Sequence, residues 1–131
     1  MNQCVASYED LMVYKQTLDL QQEIFLLTRS FSKEERYALT DQIRRASRSM
    51  GANIAEAWAK RQYPAHFLSK LTDADGEQNE TRHWLETALL CHYLGQSQYE
   101  QLMAQCHDIG SKLGAMMRNP GSWKPSDRPT V

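Results

Sequence analysis

Residues 39–61 read LTDQIRRASRSMGANIAEAWAKR, and the fold follows from this stretch. Leu39, Ile43, Ala46, Met50, Ile54, Ala57 and Trp58 recur at three- and four-residue spacing. That is the apolar stripe a helix buries against its neighbours. Arg44, Arg45 and Arg48 fall on the other side, and Ala52, Ala55 and Ala59 continue the same line. The far face therefore begins cationic and ends small and apolar. An ordinary solvated helix face would carry Lys or Glu where those alanines stand.

Working outward, the spacing predicts three partners for this helix. Upstream, residues 8–29 carry one apolar line of Leu11, Tyr14, Leu18 and Phe25, and a second of Val13, Leu20, Ile24, Leu27 and Phe31. Two lines make a wide face, as in a bundle helix with more than one neighbour. Residues 1–7 read as a frayed arm. Ser32 and Glu35 have the spacing of a capping box that opens the second helix, predicted over 33–62. Gly51 inside it costs about 1 kcal/mol relative to Ala, so a kink or a close helix contact is expected there. Pro64 suits the first turn of a third helix over 64–94, with Phe67, Leu68, Leu71, Ala74, Leu85, Ala88, Leu89 and Tyr93 inward. Its middle, TDADGEQNETRH, is unusually polar. Gly95 reads as its C-terminal stop, and Ser97 with Glu100 as a capping box for a fourth helix over 97–118. That helix places Tyr99, Leu102, Met103, Cys106, Ile109, Leu113, Met116 and Met117 inward. Asn119-Pro120-Gly121 ends it. The expectation is an all-α, up-down-up-down four-helix bundle over 1–118. A C-terminal tail, 119–131, should be extended or mobile, with Trp123 docking back.

Composition narrows the class. Charged residues make up 24% and hydrophobic residues 41%, which is globular rather than disordered. The formal net charge of −1 excludes a uniform polycation, so nucleic-acid binding would need a local patch. Cys4, Cys91 and Cys106 are odd in number and lack framework spacing, which favours a reduced, cytoplasmic setting. No secretory pattern opens the chain and no apolar run is long enough for a membrane.

With these residues in order, the chain resembles the four-helix-bundle family of ribosomal RNA intervening-sequence proteins, which is related to accessory proteins of diversity-generating retroelements. The resemblance spans about residues 8–117. It is carried by DLMVYK in the first helix, LTDQIRRASRSMGANIAEA in the second and residues 85–94 in the third. Its most specific part is Gln42-Ile43-Arg44-Arg45-Ala46 followed by Asn53-Ile54-Ala55-Glu56. The chain departs from the family at Gly51, where Pro is frequent, at Ala57, where Gly is frequent, and in its polar third helix. The resemblance implies an up-down bundle, homo-oligomers that are often pentameric rings, and no established catalytic activity. The retroelement relatives are basic, bind nucleic acid and contact a reverse transcriptase.

Four groups of residues carry candidate function. Arg44, Arg45 and Arg48, extended by Lys60 and Arg61, form a candidate phosphate-contacting patch, since guanidinium matches phosphate in geometry and charge. The plainer reading is ion pairing, with Asp41 four residues before Arg45. Ala52, Ala55 and Ala59 form a candidate oligomer interface, because small residues let helices approach closely. Asn53 and Glu56 flank the core stripe and are expected to fix helix packing through hydrogen bonds. Glu80 and His83 make one Glu-x-x-His pair, with Asp73 and Glu77 upstream. A di-iron bundle needs two such pairs and two further glutamates, so no metal is expected. The stripe is expected instead to be solvated or intersubunit, and in the latter case to pair with the arginine face of a neighbouring subunit. Cys91-His92 and Cys106-His107 fit no zinc spacing, and both cysteines are expected in the core. No phosphate loop, nucleophile elbow or catalytic triad pattern occurs. The expectation is a protein without catalysis or cofactor, whose partners are itself, RNA or DNA, or another protein. A nucleic-acid accessory role leads, a pure interaction scaffold is the alternative, and a metal-binding bundle comes last.

Overall fold

A computed structural model describes residues 5–125 of the chain; residues 1–4, Cys4 among them, and residues 126–131 lie outside the described range. Four helices run α1 (Met12–Thr28), α2 (Asp41–Ala59), α3 (Pro64–Leu90) and α4 (Gln96–Arg118), and the described residues include no strand. Successive helices pack side by side and α4 returns against α1, which gives the up-down-up-down bundle. Among the described residues no helix is long and apolar enough to cross a membrane.

The core is built from the stripes that the periodicity marks. Leu20 and Ile24 of α1, Ile43, Met50 and Ile54 of α2, Phe67, Leu71 and Leu85 of α3, and Ile109 and Leu113 of α4 are essentially inaccessible to solvent. Each such side chain contributes about 1.5–3 kcal/mol by leaving water. Of the two lines on α1, the Val13–Leu20–Ile24 line faces the core. Leu18 of the other line is more than a third exposed and Phe25 is half-buried.

Between α1 and α2 the chain winds differently from the plain helix predicted from residue 33. A 3-10 turn, Lys33–Glu35, leads into a π-helical turn, Arg36–Thr40. The wider turn accommodates Leu39 and Thr40, adjacent in sequence yet both buried, and leaves Tyr37 exposed. Neither predicted capping box forms. Ser32 makes no cap hydrogen bond, and Ser97 lies inside α4, whose N-cap is Gly95. A capping box forms instead at Ser7 and Asp10, ahead of α1.

Gly95 is also not the stop of α3, which ends four residues earlier than predicted. His92 reverses the chain with φ 63°, and Tyr93 N–H donates to the Ala88 carbonyl at 2.9 Å while His92 N–H donates to Leu89 at 3.0 Å. This is the Schellman pattern, with histidine in the left-handed position usually held by glycine. At the other end, Tyr63 is extended ahead of Pro64, as the proline ring requires, and Pro64 opens α3.

Gly51 is the expected close contact. A β-carbon there would stand 3.0 Å from the Thr17 hydroxyl and 3.4 Å from the Tyr14 ring, so α1 lies tightly on α2 at that level. The polar middle of α3 is partly core: Gln78 and Thr81 are buried beside Ala74 and Leu85. Thr81 donates back to the Glu77 carbonyl at 2.8 Å, as Thr17 and Ser47 do to carbonyls of their own helices. Beyond α4, Pro120–Trp123 forms a 3-10 turn, and the Trp123 ring meets Trp58 edge-on at 6.1 Å.

Candidate functional site

The arginine face of α2 divides into three environments. Arg44 and Arg48 lean toward α1, where their guanidinium carbons lie 4.9 and 5.6 Å from the centre of the Phe25 ring. Arg44 Nε also donates to Thr28 Oγ1 at 2.7 Å. Among the described residues neither arginine has a carboxylate partner. Phe25 thus serves as a platform that holds two cations one turn apart. Arg44, Arg45 and Arg48 share an open depression of about 450 Å³ with Asp41, Ser49 and Ala52.

Arg45 turns the other way, to α3. Its guanidinium pairs with Glu80 at 2.8 Å and stands 3.8 Å from Glu77. The local Asp41 pairing expected from spacing does not form. The α3 carboxylates meet an arginine of their own chain, where the sequence reading set them in solvent or against a neighbouring subunit. Burial raises the Glu77 carboxyl above its ordinary range, adjacent Glu80 adds to the rise, and Arg45 opposes it.

Lys60 and Arg61 do not extend the patch. They lie past the end of α2, about 25 Å along the axis from Arg44. Lys60 is exposed. Arg61 folds back over the Trp58 ring at 4.2 Å and donates to the Trp58 carbonyl at 2.8 Å. The five predicted cations therefore form a pair on Phe25, an intrachain bridge and a separate group at the bundle end.

Ala52 and Ala59 are exposed and Ala55 is half-buried, so the small-residue line continues the arginine face as an open strip. Asn53 does not tie two helices together, because its amide donates to Ser49 within α2 at 2.9 Å. Glu56 does bridge helices, accepting from Lys70 of α3 at 2.8 Å. That hydrogen bond lowers the Glu56 carboxyl and raises the Lys70 ammonium.

The Glu-x-x-His pair is spread apart in use. Glu80 serves Arg45, and the His83 ring packs edge-on against Trp84 at 4.7 Å. Among the described residues no three His, Cys, Asp or Glu side chains converge as a metal site. Cys106 is in the core as expected, where burial pushes its thiol up to about 12. Cys91 is not; it sits exposed at the end of α3, because the helix stops there and the chain turns at His92. Sequence reading missed the parts played by Phe25 and Thr28. Phe25 lies on an apolar line of α1, and nothing in that spacing tells a core ring from a platform at the helix edge.

These features define a class: an all-helical bundle whose second helix carries a guanidinium face braced by its neighbours. The chain belongs to the 23S rRNA-intervening sequence protein family, whose model matches residues 9–115. It is also similar to the crystal structure of a protein of unknown function from the S23 ribosomal protein family of Bacteroides thetaiotaomicron. The two are 32% identical with a TM-score of 0.73, over 81% of this chain and 95% of that one. No curated protein matches it significantly.

Proposed function

We propose that this protein is a non-catalytic, self-associating bundle that binds nucleic-acid phosphates through Arg44 and Arg48. The observation that carries the reading is the Phe25 platform. It fixes two guanidinium groups on one open surface, and no described carboxylate neutralises either. Preordered cations lose little side-chain freedom when phosphate arrives. Such contacts position a nucleic acid without reading its sequence. Arg45, already paired, serves the bundle. Self-association along Ala52, Ala55 and Ala59 would repeat the two-arginine site and multiply its effective affinity.

The test is fluorescence anisotropy with labelled structured RNA and duplex DNA at 50 and 200 mM salt. Two phosphate contacts per site make binding about tenfold weaker across that range. Arg44→Ala with Arg48→Ala should remove the salt-dependent part, and Arg45→Ala should leave it. All variants are first matched for helicity and native mass. No binding at low salt would sink this reading in favour of a protein-interaction scaffold. That second reading draws on Met12, Leu26, Tyr37, Tyr63 and Leu90, large apolar side chains each more than half exposed.

A further inference from the structure

At the far end of α2 the bundle opens into a second, larger recess of about 880 Å³, between the start of α1, the ends of α2 and α4, and the turn after α4. Its size falls in the range of small-molecule sites. Two indoles, Trp58 and Trp123, form part of the wall. Three described cations line it: Arg61, Lys112 and Lys124. Lys112 is matched by Asp108 at 2.8 Å. Arg61 and Lys124 have no carboxylate partner among the described residues. Arg61 is held in place by its stack on Trp58 and its bond to the Trp58 carbonyl, which uses one of its five N–H groups. Among the described residues the recess has one acidic lining residue, Asp10, and that carboxylate already accepts from the Ala6 and Ser7 amides at 3.2 Å. Apolar ring surface thus sits beside two cations with no described carboxylate partner, one of them preordered.

We infer that this recess is a nucleotide-phosphate site: a base packs against the Trp123 indole while Arg61 and Lys124 take the phosphate. Stacking on an indole is tolerant of base identity, and guanidinium with ammonium suits a phosphate dianion. A free mononucleotide and the phosphorylated end of a strand present the same chemistry. The inference does not rest on the Arg44 and Arg48 reading, because the recess lies at the other end of α2.

The experiment is an NMR titration of the full chain with adenosine 5′-monophosphate, following the three indole N–H signals of Trp58, Trp84 and Trp123. Each is assigned from a Trp→Phe variant. Trp58 and Trp123 should shift together and saturate with a dissociation constant below about 1 mM, and Trp84 should stay still. Adenosine alone and inorganic phosphate alone should each bind at least about tenfold more weakly, as should Arg61→Gln with the nucleotide. The Arg44→Ala/Arg48→Ala variant should give the same shifts as the native chain. A 5′-phosphorylated oligoribonucleotide against its unphosphorylated twin then separates the two sources. Tighter binding of the phosphorylated strand than of the mononucleotide identifies a strand end, and the reverse a free nucleotide. Shifts that spread to Trp84, vanish in the double arginine variant, or are absent at about 10 mM nucleotide would overturn the site. So would undiminished binding by Arg61→Gln.

Discussion

His92 carries a β-carbon at φ 63°, where most helix ends of this kind use glycine. The left-handed conformation costs a non-glycine residue about 1–2 kcal/mol. His92→Gly should therefore raise the unfolding free energy by about 1 kcal/mol, read as a higher urea midpoint with unchanged slope. An unchanged midpoint would mean that the imidazole supplies compensating contacts. Glycines inside helices divide by what surrounds them. Gly76 of α3 has open space where a β-carbon would go, so Gly76→Ala should stabilise by up to about 1 kcal/mol. Gly51 has Thr17 and Tyr14 against it, so Gly51→Leu should destabilise by about 1–3 kcal/mol as α1 is forced outward. Chemical denaturation of the pair measures both. The Gly51 contact was legible because a helix interior tolerates glycine at a cost that needs a reason. The His92 turn was not, because Gly95 three residues on is the better stop by composition. Only the backbone decides between them.

Between elements, the α2–α3 seam is written in charge. Arg45 reaches Glu80 closely and Glu77 at a distance, and Lys70 reaches Glu56. Glu77 is the one whose carboxyl the fold raises: burial leaves one of its oxygens without a donor, and Glu80 stands beside it. A carboxyl raised in the fold favours the native state when protonated. That contribution is fully present below the unfolded value and is lost as pH rises through the folded one. The native chain should therefore lose this part of its stability on going from about pH 4 to pH 7. Glu77→Gln keeps the shape and can donate to Glu80 without a charge, so its stability should fall less across the same window. Urea titrations at several pH values compare the two chains, and parallel profiles would remove Glu77 from the account. The sequence placed Glu77 and Glu80 on one stripe and Arg45 on one helix face. It could not say that the two stripes meet within one chain, since i to i+4 spacing describes a single helix and not which helix lies beside it.

On the scale of the whole molecule, the four apolar stripes sufficed for the bundle, because helices of this length with short connections can bury those stripes in few other ways. The stripes say least where two demands share one surface. Phe25 belongs to an apolar line of α1 yet stands at its edge, under Arg44 and Arg48 of α2. In the proposed reading, Ala52, Ala55 and Ala59 would let a second chain approach along that α2 face, and Arg44 and Arg48 at its other end would take anions. Both uses are compatible if copies meet along the alanines and leave the arginines at the rim. Ala55→Glu places a charge in the middle of the strip, where burial against another chain would leave it unpaired and costly. Its native mass, measured by light scattering on the eluting peak, should fall toward the monomer while its helicity stays unchanged. Leu90→Glu, an equally drastic change at an exposed site on α3, should leave the mass as it was. An Ala55→Glu chain that keeps the native mass would move the interface off α2. A loss of mass with Leu90→Glu alone would place it at the end of α3, beside the His92 turn.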